Sequence, residues 1–478
     1  RLRAPEQLPS VFLPDSWYGV AALPWVGSGL WRAFGGLEKG TDHYLNDHWF
    51  LGKMGLFGLV FARPLYRMNL LTIGDFYRKR YGRTVETVTS LAIVISYLGW
   101  VGAQITALGL VFNVLSDGEI SRVAGMWIGA GTILIYTLFG GMWAVAITDF
   151  VQMIVIVIGM LWIGGEISGM VGGVGVVVEH ASQAGKFNFW PEMDLKAILA
   201  FAAAWMTMMF GSMPQQDVFQ RVQSSRTEKI AVWGAVLGGS LYFLFAFVPM
   251  FLAYSATLID PAMVARLAET DPQMILPTLV LEKAPLIAQI MFFGALLSAI
   301  KSCASATLLA PSVTFTENIV KPLMGKMSDR KLLLAMRIVT LIFTVLVTLY
   351  AINSEASIFK MVENAYQITL VTAFVPLAFG VYWRRATNQG AILSMFLGLA
   401  VWLAIHLFGP EDPFMPAQFA GLLAALFGMI AGSLLPQVVH HDTGIHDALR
   451  HGHHHAAAQT HHAAGVHHHG QPAHEPKS

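Results

Sequence analysis

Stretches of about 17–25 predominantly apolar residues, each long enough to cross a lipid bilayer as a helix, recur along the whole chain. About twelve are legible, near residues 16–36, 48–66, 87–115, 123–140, 142–164, 197–213, 230–257, 286–318, 332–352, 358–383, 389–408 and 415–435. In lipid every backbone N–H and C=O needs an internal partner, and no alternating barrel pattern is visible, so the spans are expected to be helices. The first is interrupted by Gly19, Pro24, Gly27 and Gly29. Only 12% of residues are charged, against about 25% in soluble proteins. The chain reads as an all-α polytopic membrane protein.

Basic residues give these spans a direction. Arg63, Arg67, Arg78, Lys79, Arg80 and Arg83 follow span 2; Arg221, Arg226 and Lys229 follow span 6. Lys321, Lys326, Arg330 and Lys331 follow span 8, and Arg384 and Arg385 follow span 10. All lie after even-numbered spans, so the positive-inside rule places the even loops and the C-terminal tail in the cytoplasm.

Several function classes fall away on composition and motif. Thirty Lys+Arg against 29 Asp+Glu leave a formal charge of +1, so no basic surface is offered to nucleic acid. Cys303 is the single cysteine, which excludes a disulfide framework or a cysteine-based zinc site within one chain. No GxxxxGK[ST] loop is present for an ATP-driven pump, and neither HExxH nor Gly-x-Ser-x-Gly occurs, so an enzyme is not expected. The chain begins with Arg1 and carries no signal-peptide pattern before its first span, which fits a sequence that begins late.

From residue 436 the composition changes. The tail holds His453, His454, His455, His461, His462, His467, His468 and His469 among Ala and Gly, and a segment like this cannot bury a core. One reading is a solvated disordered tail. The other gives His453, His454, His455, His467, His468 and His469 a divalent-metal role, since clustered imidazoles chelate transition metals.

Ionisable groups at membrane depth cost at least about 2.5–3.5 kcal/mol on insertion scales and are functional candidates by default. Asp149 in span 5 and Lys301 in span 8 are such groups. Span 8 also carries Ser298, Ser302, Cys303, Ser305 and Thr307. Hydroxyls and unwound-helix carbonyls can replace the hydration shell of a hard alkali cation, while small residues can equally serve close helix packing. At 100° per residue Ala299, Ser302, Cys303 and Ala306 share one stripe, and Lys301 and Ser305 share another. Lys301 then either serves a neighbouring site, snorkels to an interface or pairs with a carboxylate. Polar candidates for a bound solute are Gln104 in span 3 and Tyr366 and Gln367 in span 10.

Five strings, taken in order, resemble the sodium/solute symporter family of sodium-coupled sugar, proline and sialic acid transporters. They are LLTIGDFYRKRYG (70–82), GGMWAVAITDFVQ (140–152), PQQDVFQRV (214–222), the serine-rich span 8 and YWRRATNQGA (382–391). The resemblance covers about residues 16–435. It implies a LeuT-type architecture: a transmembrane domain over 1–435 with inverted five-helix repeats at 16–164 and 197–383 and two peripheral helices at 389–435, ahead of a 436–478 tail. Solute and ion sites are then expected near the midplane, where the first helix of each repeat is broken. The family's additional N-terminal helix is expected to be missing from this sequence.

By the same resemblance the principal sodium site combines Ala299, Ser302 and Cys303 with carbonyls near Phe12 and Asp15. Cys303 departs from the family pattern, since a thiol is a weak ligand for sodium. A second cation or proton site is implied at Asp149 and Ser305, with Ala306 lacking a hydroxyl. Lys301 stands where the family has an apolar residue, and an ammonium near Asp149 would neutralise it. Coulomb repulsion would then oppose a nearby sodium by about 4 kcal/mol at 4 Å. The function implied is sodium-coupled symport of a small organic solute (amino acid, carboxylate or sugar), with no cofactor besides Na⁺ as coupling ion, in a bacterial inner membrane. The alternatives are proton-coupled or uncoupled transport with Lys301 in a cation's place, or a receptor-like domain that does not transport.

Overall fold

The structure is a computed structural model that describes residues 57–187, 191, 193–325, 327–410 and 412–438. The first expected span, most of the second, Phe12, Asp15 and the histidine-rich tail lie outside the described residues.

The described chain is helical. After a wide π turn at Phe57–Ala62 come α1 (Arg63–Arg67), α2 (Ile73–Tyr81), α3 (Arg83–Leu115), α4 (Arg122–Val171), α5 (Val174–Gln183), α6 (Leu195–Phe210) and α7 (Gln216–Gln223). There follow α8 (Glu228–Ile259), α9 (Pro261–Thr270), α10 (Ile275–Lys283), α11 (Leu286–Phe315), α12 (Lys321–Met324) and α13 (Asp329–Asn353). The last are α14 (Ile358–Thr369), α15 (Val375–Tyr382), α16 (Asn388–Phe408) and α17 (Ala417–Leu434). Among the described residues nine helical spans are long and apolar enough to cross a membrane, and α6 is a shorter apolar helix.

Local chemistry sets the boundaries. Thr72 starts α2 with a capping box, its hydroxyl accepting from the Asp75 N–H while the Asp75 carboxylate accepts from the Thr72 N–H. Asp194 caps α6 by accepting from the N–H groups of Lys196 and Ala197. The separate spans expected at 123–140 and 142–164 are found as Arg122–Phe139 and Ile147–Val171, within helical backbone that runs through Arg122–Val171. Twelve residues of straight helix rise about 18 Å, yet the hydroxyls of Tyr136 and Thr148 share a hydrogen bond. The run therefore bends between them and supplies two legs, Arg122–Phe139 and Ile147–Val171.

α11 lies at the centre, packed along α4 and α3, while α14 packs along α3 and α16 pairs with α17. Close approach of α3 to α14 depends on Gly99, where a Cβ would lie 2.5 Å from the Met361 carbonyl oxygen. Large apolar side chains such as Ile135, Phe139 and Leu244 point outward, as a lipid-facing surface requires.

The end of the bundle that carries the basic loops is tied together. Tyr77 and Tyr81 on α2 donate to the carbonyls of Ala373 (2.9 Å) and Pro376 (2.7 Å), and Arg80 donates to those of Gly380 and Trp383. The π turn at Leu370–Phe374 leads into α15 there. Arg63 and Arg67 both pair with Glu228 at the start of α8.

Candidate cation and solute site

Three consecutive residues in the middle of α11 reach three different partners. Ser302 donates to Asp149 Oδ1 on the second leg of α4 at 2.6 Å. Cys303 faces α3, where Gln104 Nε2 lies 3.3 Å from its sulfur. Lys301 places its ammonium 4.7 Å from the centre of the Tyr136 ring on the first leg of α4. The helical wheel groups Ser302 with Cys303, and the packing of two helices against α11 separates them. Ser305, one turn along, is fully buried and donates to the Ser302 carbonyl at 3.1 Å. Ala299, one turn before, is buried too.

Asp149 is 4% exposed, and an unneutralised carboxylate there would cost several kcal/mol. Its counter-charge is Arg221, whose Nη2 lies 3.7 Å from Oδ2. Lys301 is not within ion-pair distance of Asp149. Its ring partner Tyr136 bonds instead to Thr148, the residue beside the aspartate. The cation next to Asp149 thus comes from α7, a helix the sequence marks only through its PQQDVFQRV string.

α7 continues α6 across a break at residues 211–215. Gly211 is required at the start of that break, since a Cβ would lie 2.3 Å from the Tyr366 carbonyl oxygen. Thr369 donates to the Gly211 carbonyl, which the break leaves without a helical partner. At the end of the break and just beyond it, Gln215, Gln216 and Asp217 are held by bonds to other elements. Gln215 donates to Ser96 (3.1 Å) and Thr369 (3.4 Å), and Gln216 accepts from the Ile73 N–H (2.8 Å) and donates to the Leu71 carbonyl. Tyr97 donates to the Asp217 carboxylate and accepts from the Asp217 N–H. The broken helix expected at the head of the second half is present, with its polar residues turned into the bundle.

The solute candidates divide. Gln104 is fully buried, and its Oε1 has no hydrogen-bond partner among the described residues. One turn before it, Trp100 packs against Tyr366 with ring centroids 5.5 Å apart. Phe210, at the edge of the break, stacks on Phe374 at 4.5 Å. The Trp100–Tyr366 contact thus joins α3 to α14, and Phe210–Phe374 joins the end of α6 to the π turn before α15. Gln367 instead accepts from Trp402 Nε1 at 3.1 Å and faces α16.

Chemically, Asp149, Ser302 and Ser305 form an all-oxygen set, which suits a hard monovalent cation. Among the described residues no group of three or more His, Cys, Asp and Glu side chains could hold a metal ion.

The profile of the Sodium:solute symporter family matches residues 35–398. The human high affinity choline transporter 1 is 26% identical over 72% of this chain and 60% of its own length. The sodium/pantothenate symporter of Haemophilus influenzae is 27% identical over 78% of each chain, and the high-affinity proline transporter PutP of Bacillus subtilis 24% over 77% of each. The chain thus spans less than two thirds of the choline transporters it matches. Among solved structures, a substrate-bound, outward-open Na⁺-coupled sialic acid symporter superimposes with a TM-score of 0.73 at 18% identity, covering 90% of this chain and 92% of that one. MhsT in complex with L-phenylalanine does so at 0.58 and 14%, covering 88% and 99%. These likenesses show the LeuT-type fold, and relatives and fold alike are those of transporters, not enzymes.

Proposed function

Because the chain belongs to the sodium:solute symporter family, we propose that it couples sodium entry to the transport of a small organic solute by alternating access. The observation that carries the reading is the Ser302–Asp149 hydrogen bond between α11 and α4, beside the broken α6–α7 helix. Sodium would take oxygens from Asp149, Ser302 and Ser305. The solute would bind between Gln104, Trp100 and Tyr366. Coupling requires that the ion prefer one conformation, since equal affinity for both shifts nothing.

The repeats are assigned to 16–164 and 197–383, with 389–435 peripheral. On this reading the basic end faces the cytoplasm of a bacterial inner membrane, and the histidines of the 436–478 tail are available there to divalent metals. The lysine that motivates a proton-coupled or uncoupled alternative lies on Tyr136, so sodium coupling is preferred.

Relatives that carry choline, pantothenate and proline suggest the first solutes to try. Purified protein in liposomes should accumulate at least one small amino acid, carboxylate or quaternary amine under an inward Na⁺ gradient and not under K⁺. Uptake that proceeds equally in K⁺ would refute the reading.

A further inference from the structure

The geometry points to Arg221 as a tethered counter-cation, which holds Asp149 while the coupling ion is absent and releases it when the ion arrives. The inference rests on the sodium-coupled reading and adds to it a route by which the empty carrier closes.

Asp149 divides its two oxygens between two helices. Oδ1 accepts from Ser302 on the central α11 at 2.6 Å, and Oδ2 faces Arg221 on α7 at 3.7 Å. The second contact is longer than a charge-assisted hydrogen bond of about 2.7–2.9 Å, so the guanidinium neutralises the carboxylate without clamping it. Arg221 is itself 14% exposed and is steered by a bond from its Nη1 to the Asp217 carbonyl at 3.1 Å. Asp217 is in turn fixed to Tyr97 on α3. The guanidinium therefore sits on the helix that follows the break, and it reaches Asp149 only while α7 is packed on α11 with Asp217 held by Tyr97 of α3.

A buried carboxylate must be neutralised in every state that keeps it from water. In the loaded carrier a sodium among Asp149, Ser302 and Ser305 does this. After the ion leaves, Arg221 does it from α7, and docking of α7 closes the inner end. Sodium and Arg221 compete for one carboxylate, so Arg221 lowers sodium affinity while making the empty, closed state attainable. Lys301, turned onto Tyr136, takes no part.

The test uses the full chain purified in K⁺, with ²²Na⁺ binding as one readout and maleimide alkylation of Cys303 as the other. Cys303 is the chain's only cysteine and is buried in the structure, so its alkylation rate reports opening. Loss of a positive charge a few ångströms from the ion should tighten ²²Na⁺ binding in Arg221→Gln about tenfold or more. In Na⁺-free medium the same variant should alkylate several-fold faster than wild type, and saturating Na⁺ should return it to the wild-type rate. Arg221→Lys should behave as wild type in both readouts. The double variant Asp149→Asn with Arg221→Gln should bind no ²²Na⁺ and lose the extra alkylation, because no charge is left to neutralise.

Unchanged or weaker ²²Na⁺ binding in Arg221→Gln, with normal binding in wild type, would overturn this inference alone. So would fast alkylation that persists in saturating Na⁺ and in the double variant, which would mark Arg221 as merely structural. Absence of ²²Na⁺ binding in both wild type and Arg221→Gln would sink the sodium-coupled reading, and this inference with it.

Discussion

Tyr97 and Asp217 exchange two hydrogen bonds across the bundle: the phenol donates to the carboxylate at 2.5 Å and accepts from the Asp217 N–H at 3.0 Å. Tyr97 is fully buried on α3, and Asp217 opens the first turn of α7 after the break. With Gln215 on Ser96, the neighbouring residue of Tyr97, this pair sets how α7 docks. Replacing Tyr97 with Phe keeps the ring and strands the carboxylate. Thermal unfolding should show a loss of about 1–3 kcal/mol, and Cys303 alkylation should speed up. Unchanged values in both would mean that the pair does not hold α7.

The cation ligands can be told apart by exchanging neighbours on α11. Ser302→Ala removes an oxygen aimed at Asp149 and should weaken ²²Na⁺ binding about tenfold or more, the size of a hydrogen bond to a charged group. Cys303→Ser changes a residue turned toward Gln104 and should leave the half-saturating Na⁺ within about threefold of wild type. A large gain in affinity on Cys303→Ser would place position 303 among the ligands.

Lys301 offers a contrast with its sequence reading. A cation over a tyrosine face is worth about 0.5–2 kcal/mol, so Lys301→Met should cost no more than that in stability. Sodium binding should not move with it. A tenfold change in the half-saturating concentration would return Lys301 to the cation site.

Gly211 tests the break itself. An added methyl would meet two backbone carbonyl oxygens, that of Tyr366 at 2.3 Å and that of Thr207 at 2.6 Å. Gly211→Ala should therefore destabilise the protein by about 1–3 kcal/mol through overpacking, read as a lower unfolding temperature in detergent. A variant as stable as wild type would show that the break is looser than the close approach of α14 suggests.

The membrane architecture was legible because it depends on run length and polarity. A bilayer admits few ways to satisfy a buried backbone, so long apolar stretches, Pro214 beside Gly211, and Asp149 within an apolar span could be read without coordinates. The PQQDVFQRV string marked the place of α7, and nothing in it distinguished Arg221 as a partner from Arg221 as one more loop cation.

What the sequence by itself determined was the class of fold, the family and the residues of α11 worth watching, all of which follow from local pattern. Only the tertiary structure decided that Lys301 faces Tyr136, that Cys303 faces Gln104, that Gln367 faces Trp402, and that Arg221 rather than Lys301 faces Asp149. The physical reason is that helical periodicity gives the direction of a side chain about its own axis and is silent on which helix lies in that direction. The pairing of charges across the bundle is set by how α4, α7 and α11 dock.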